Sequence, residues 1–160
     1  MEVSINKQAR LSEHFTLAEL CKTSAITADG NILSHVHIEN LKRLCGWLEM
    51  LRSEWNKRYG EGDDPIYINS GYRSEAVNNA MGGKKGSNHL TGCAVDIRVA
   101  GIEQLVCYAT ILLDISDESQ EDFDELLLER SPKGGYWLHF AVRPPSQENR
   151  RKVSLIQSLR

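Results

Sequence analysis

At 160 residues, 41% hydrophobic and 26% charged, the chain has the size and balance of a single soluble globular domain with a real core. A net charge of −3 argues against a global basic field for nucleic acid or an anionic membrane, and no apolar run approaches the roughly 20 residues of a membrane span. Four cysteines (Cys21, Cys45, Cys93, Cys107) without CxxC spacing argue against a cysteine zinc site and a disulfide framework.

Along the chain, Thr16-Leu17-Ala18-Glu19 has the form of a capping box and opens a short helix to about Lys22. Thr23 to Ser34 reads as loop, and Ser34 can cap a long helix. There Ile38, Leu41, Leu44, Leu48, Leu51, Trp55 and Tyr59 recur every three to four residues. Gly60 and the following EGDDP end it. The β-prone Ile66–Ser70 leads into a small helix from about Ser74 to Met81, stopped by Gly82-Gly83. A loop and the strand Cys93–Val99 come next, then a helix marked by Leu105, Val106, Ala109, Leu112 and Leu113. Two strands, Phe123–Arg130 and Tyr136–Val142, are joined by the hairpin-like SPKGG. The predicted core spans about residues 15–142. After Pro144-Pro145 a polar tail is expected, with a possible last element near Val153–Ile156 and a basic run, Asn149–Lys152, read as a solvated face. Helices mostly precede strands, which implies an α+β class with a mainly antiparallel sheet.

Strand alternation isolates the chemistry. In Cys93–Val99, Asp96 shares a face with Ala94 and Arg98. In Tyr136–Val142, His139 shares one with Trp137 and Ala141. If the two strands are neighbours, Asp96 and His139 point into one groove, and His89, on the glycine-rich loop before the first strand, can reach over them. An ionised aspartate beside a packed strand needs a partner, which a metal ion would be. Two histidines and a carboxylate suit catalytic zinc, leaving a fourth tetrahedral position for water whose pKa the metal lowers.

The spacing Ser87-x-His89-x-x-Gly92-x-Ala94-x-Asp96, preceded by Ser70-Gly71-Tyr72-Arg73-Ser74 and followed by Trp137-x-His139, resembles the zinc D-Ala-D-Ala carboxypeptidase family, peptidase family M15. That family shares its metal-site fold with Hedgehog signalling domains and lysostaphin-type endopeptidases. The opening HFTLAEL and the later NRRKV are similar to small phage-encoded members. The resemblance implies a Hedgehog/DD-peptidase-like fold and one Zn2+ per chain held by His89, Asp96 and His139. Arg73 would bind a substrate carboxylate or stabilise the oxyanion. Ser87 would support the His89 loop or contact substrate, and Trp137 would be a stacking wall or core. Gly71, Gly83 and Gly92 read as tight-turn positions.

One part of the family pattern is missing. Relatives carry a general base three residues (Glu) or two residues (His) before the last ligand, where this chain has Tyr136 and Trp137. The substitute proposed by alternation is Glu129. His14, His35 and His37 read as surface residues. The implied activity is hydrolysis of peptidoglycan stem peptides, at a D-Ala-D-Ala terminus or an L-Ala–D-Glu bond. The alternatives are a zinc-containing cell-wall-binding module of weak or no activity, or a phage structural protein on the same fold. The amino-terminal MEVSINKQARLSEHF lacks the basic and apolar regions of a signal peptide. The expectation is therefore a monomer made in the cytoplasm, acting on the wall after lysis or from a phage particle, with no nucleic-acid partner.

Overall fold

Two capping boxes set the first helices, in a computed structural model that describes residues 6–159. Thr16 opens α1 (Leu17–Leu20) by accepting from the Glu19 amide while Glu19 accepts from the Thr16 amide. Ser34 opens α2 (His35–Arg58) in the same way, with the ring of His37 taking the place of the usual glutamate. There follow β1 (Ile68–Ser70), α3 (Glu75–Ala80), a 3-10 turn (Asn88–Thr91) and β2 (Ala94–Arg98). After these come α4 (Ile102–Ser119), β3 (Glu125–Arg130), β4 (Tyr136–Ala141) and β5 (Lys152–Gln157).

The strands form one five-stranded sheet in the order β1-β2-β4-β3-β5. All pairs are antiparallel except β3 with β5, which is parallel. The class is therefore the expected α+β with a mainly antiparallel sheet. In the segment beyond Pro145, the last element expected near Val153–Ile156 is a full edge strand, Lys152–Gln157. Its side chains are exposed or half-buried along Lys152–Gln157, so hydrophobic alternation barely announces it, and backbone pairing to β3 holds it. The basic run is exposed, as expected, but two of its arginines are also anchored. Arg150 donates from Nε and Nη2 to the fully buried Asp124 at 3.0 and 2.8 Å, and Arg151 pairs with Asp117 and Asp122.

One face of the sheet carries Val95, Ile97, Leu126, Leu138 and Phe140 against Leu41, Leu44, Leu48 and Leu51 of α2 and Leu105, Ile111 and Leu112 of α4. Each such buried Leu or Ile contributes about 1.5–3 kcal/mol over its exposed state. That layer makes the sheet a rigid floor for the polar residues on its other side. The cysteines are all free; Cys45 and Cys93 are buried as core residues, and Cys107 is half-buried. Among the described residues, no helix is long and apolar enough to cross a membrane.

Candidate metal centre

The register of β2 on β4 pairs Asp96 directly with His139. Both side chains therefore leave the sheet on the face away from the helices, as alternation predicts. His89 arrives from above on the 3-10 turn, which the sequence reading had as an open loop. Ser87 caps that turn, its Oγ accepting from the His89 amide at 3.2 Å. Gly92 closes it in the left-handed region at φ 74°, where a Cβ would also meet the His37 carbonyl at 2.8 Å. His89, Asp96 and His139 are all buried, and one donor atom from each lies within 4.8 Å of the others.

The hydrogen-bond partners decide which atoms converge. His89 Nδ1 is 2.7 Å from the Gly71 carbonyl, which can only accept, so the ring hydrogen sits on Nδ1. His89 Nε2 then turns a lone pair toward Asp96 Oδ1, 3.3 Å away. His139 Nδ1 lies 3.0 Å from the same oxygen. Nε2 of His89, Nδ1 of His139 and Oδ1 of Asp96 thus meet at one point, and a divalent metal taking the place of the proton between His139 and Asp96 fits this donor set. Electrostatics agree. Burial would push Asp96 up, but the charges and hydrogen bonds of His89 and His139 hold it well below the usual carboxylate range. Burial lowers the pKa of His89, so its neutral ligand form is favoured. Burial would also lower His139, yet hydrogen bonds to Asp96 and Glu125 outweigh it and raise the ring to about 9. The site favours positive charge.

Arg73 sits behind Asp96 rather than over the groove. It is 2% exposed, with Nη2 on Asp96 Oδ2 at 2.9 Å and Nε on Ser70 Oγ at 2.9 Å. Its first task is thus to fix the ligand carboxylate, although it also lines the groove beside it. Asn78 receives Arg73 Nη1 at 3.4 Å and bonds the Lys84 carbonyl, connecting α3 to the glycine-rich loop.

The groove has a volume of about 550 Å³ and includes His89, His139, Glu125, Glu129 and Arg150 in its lining. Glu129 is 7% exposed, its Oε2 accepting from Trp137 Nε1 at 2.8 Å. Sequence reasoning missed Glu125, which shares that face and whose Oε1 lies 3.2 Å from His139 Nε2. The hydrogen bond from His139 holds Glu125 down at about 2, against burial. Asn88 was also missed; its amide donates to both Asp124 and Glu125. The register sets Leu127 opposite His139 and so puts Glu125 and Glu129 two residues to either side of it; their hydrogen bonds, Glu125 to His139 and Glu129 to Trp137, tell the two apart. His14 bonds Glu49 and His37 stacks on Tyr72 at 4.5 Å, neither joining the cluster.

No curated protein matches the chain. A family model does, and its span ends before β3, so His139 reaches the cluster through strand pairing that lies outside the matched segment. Residues 13–112, which carry Arg73, His89 and Asp96, match the family described as Peptidase M15, and the chain belongs to that family of peptidases.

Proposed function

We propose that the protein is a zinc-dependent peptidase that hydrolyses peptidoglycan stem peptides, as a monomer with one Zn2+ held by His89, Asp96 and His139. The observation that carries this reading is the convergence of those three donors, within 4.8 Å of one another, beside a groove of about 550 Å³ lined by His89 and His139. Bound there, zinc would polarise a scissile carbonyl and acidify water.

The chain's own residues do the rest. Arg73 holds Asp96 and steadies negative charge on the carbonyl oxygen from the groove wall. Glu129 takes a proton on its carboxylate and returns it to the leaving nitrogen, and Trp137 orients it through Nε1. Ser87 keeps the His89 turn closed. The substrate is a wall peptide, cleaved at a D-Ala-D-Ala terminus or an L-Ala–D-Glu bond, and the protein reaches it on lysis or from a phage particle.

Incubation with isolated walls and a soluble muramyl pentapeptide, read by mass spectrometry, tests this. Cleavage should stop with a chelator, return with zinc, and be absent in His139→Ala. Glu129→Gln should retain one zinc per chain and lose about 10²–10⁴ in kcat. Zinc and wall binding without cleavage would replace this reading with a binding module. Neither zinc nor wall binding would leave a structural protein on a peptidase fold.

A further inference from the structure

Glu125 lies outside both the motif and the matched segment, yet it contacts the centre on two sides. Its Oε1 is 3.2 Å from His139 Nε2 and accepts from Asn88 Nδ2 at 2.7 Å. Asn88 immediately precedes His89, and the same amide reaches Asp124 Oδ2 at 2.8 Å. One carboxylate therefore contacts one histidine of the cluster directly and the turn bearing the other through a single side chain. Glu129, two strand repeats further along the same face, engages Trp137.

From this geometry we infer that Glu125 is the positioning residue of the metal centre, an inference that rests on reading the His89–Asp96–His139 cluster as a zinc site. An ionised carboxylate can only accept, so the hydrogen it binds lies on His139 Nε2. That bond fixes the tautomer and turns the ring so that Nδ1 faces Asp96, where Nδ1 is 3.0 Å from Oδ1. It also makes the ring a more basic ligand, as carboxylate partners of metal-bound histidines do. On the His89 side, the Asn88 bridge pins the 88–91 turn to β3 and keeps Nε2 of His89 at its distance from Asp96. Glu125 acts through these ligands and not on substrate. The two glutamates of β3 thus divide the work, one holding the metal ligands and the other serving the proton transfer.

The test measures zinc affinity by chelator competition and follows the His139 ring by 15N NMR, neither of which needs substrate. In the zinc-loaded wild type, Nδ1 of His139 should show the metal-bound shift and Nε2 a slowly exchanging hydrogen. Glu125→Ala should weaken zinc binding by about 10–100-fold and release that hydrogen to exchange. Glu125→Gln, which keeps an acceptor oxygen but loses the charge, should recover most of the affinity while still shifting the Nε2 resonance. It carries the test alone if the alanine variant does not fold. Asn88→Ala should weaken zinc binding without changing the His139 shifts. Zinc affinity in Glu125→Ala equal to wild type, an unmoved Nε2 resonance in Glu125→Gln, or metal on Nε2 would each overturn the inference and leave the zinc peptidase standing. Glu125→Gln that binds zinc as wild type but no longer turns over would overturn it in favour of a proton-transfer role. A wild type that takes up no zinc would overturn both readings at once.

Discussion

The two histidines of the centre are held by different means. His89 is fixed by backbone: the Gly71 carbonyl takes its ring hydrogen, and the cap of Ser87 and the turn of Gly92 set its main chain. His139 sits in the middle of β4 and is oriented by two side-chain carboxylates, Asp96 and Glu125. A ligand held by backbone responds to whatever moves the chain and is indifferent to nearby charge. A ligand held by carboxylates tolerates small backbone shifts and responds strongly to charge. Asp96 belongs to both halves, because it faces the two rings and anchors Arg73.

Removing Asp96 should therefore have the largest effect. Asp96→Ala deletes a metal donor and removes the carboxylate 2.9 Å from Nη2 of the Arg73 guanidinium, which is 2% exposed. Breaking a buried pair from one side costs about 3–5 kcal/mol. Urea unfolding of the metal-free protein should show that loss, and zinc uptake should vanish. An unchanged unfolding midpoint would mean that Arg73 finds another carboxylate. Next in size is the backbone half. A Cβ at Gly71 would lie 2.1 Å from the Leu20 carbonyl oxygen, which also accepts from the Tyr72 amide. Gly71→Ala must push this chain segment aside and carry the acceptor of His89 Nδ1 with it. Overpacking of this kind costs about 1–3 kcal/mol. Zinc affinity should fall along with stability, whereas Glu125→Ala should lower affinity more than stability, and that contrast separates the two kinds of support.

Much of this was legible in the sequence. The period-2 pattern of Cys93–Val99 and Tyr136–Val142 put Asp96 and His139 on one face if the strands were neighbours, and they are neighbours, with Asp96 opposite His139. The helix caps at Thr16 and Ser34 were visible as residue patterns, and both are formed. Three things were not visible, each for a physical reason. Alternation gives a face but not what each side chain on it reaches, so Glu129 was singled out, while Glu125 is the one whose Oε1 lies 3.2 Å from His139 Nε2. The strand Lys152–Gln157, only a possible element near Val153–Ile156 in the sequence, lies at the sheet edge with little buried surface, so its type and its parallel pairing to β3 could not be read from its weak pattern. The anchoring of the exposed Arg150 was hidden because its partner, Asp124, lies 26 positions earlier and is fully buried.

That Arg150–Asp124 pair links the edge strand to the centre, and pH should reveal it. Burial would raise Asp124, but hydrogen bonds from Arg150 and Asn88 outweigh it and hold the carboxyl at about 2, below its ordinary 3.8. The folded pKa is depressed, so the stability it brings is fully present above about pH 4 and is lost as pH falls toward 2. The shift corresponds to at most about 2 kcal/mol, reduced by solvent screening because the Arg150 side chain is 49% exposed. Thermal melts of wild type and Arg150→Ala between pH 5 and pH 2 should converge at the acid end. Parallel curves across that range would show that Arg143, 3.2 Å from Asp124, suffices alone.

The smallest effect tests the backbone half most selectively. Ser87 contributes only a cap: its Oγ accepts from the His89 amide, and the turn behind it is closed by bonds from the Gly92 and Cys93 amides to the His89 and Asn88 carbonyls. Ser87→Ala should cost about 1 kcal/mol, the usual value of such a cap. Because the Gly71 carbonyl still holds the His89 ring, zinc affinity should fall only slightly and the His139 resonances should not move at all. A loss of zinc binding as large as that of Glu125→Ala would erase the distinction between the halves. It would make the cap, and not the Gly71 carbonyl, the element that places His89.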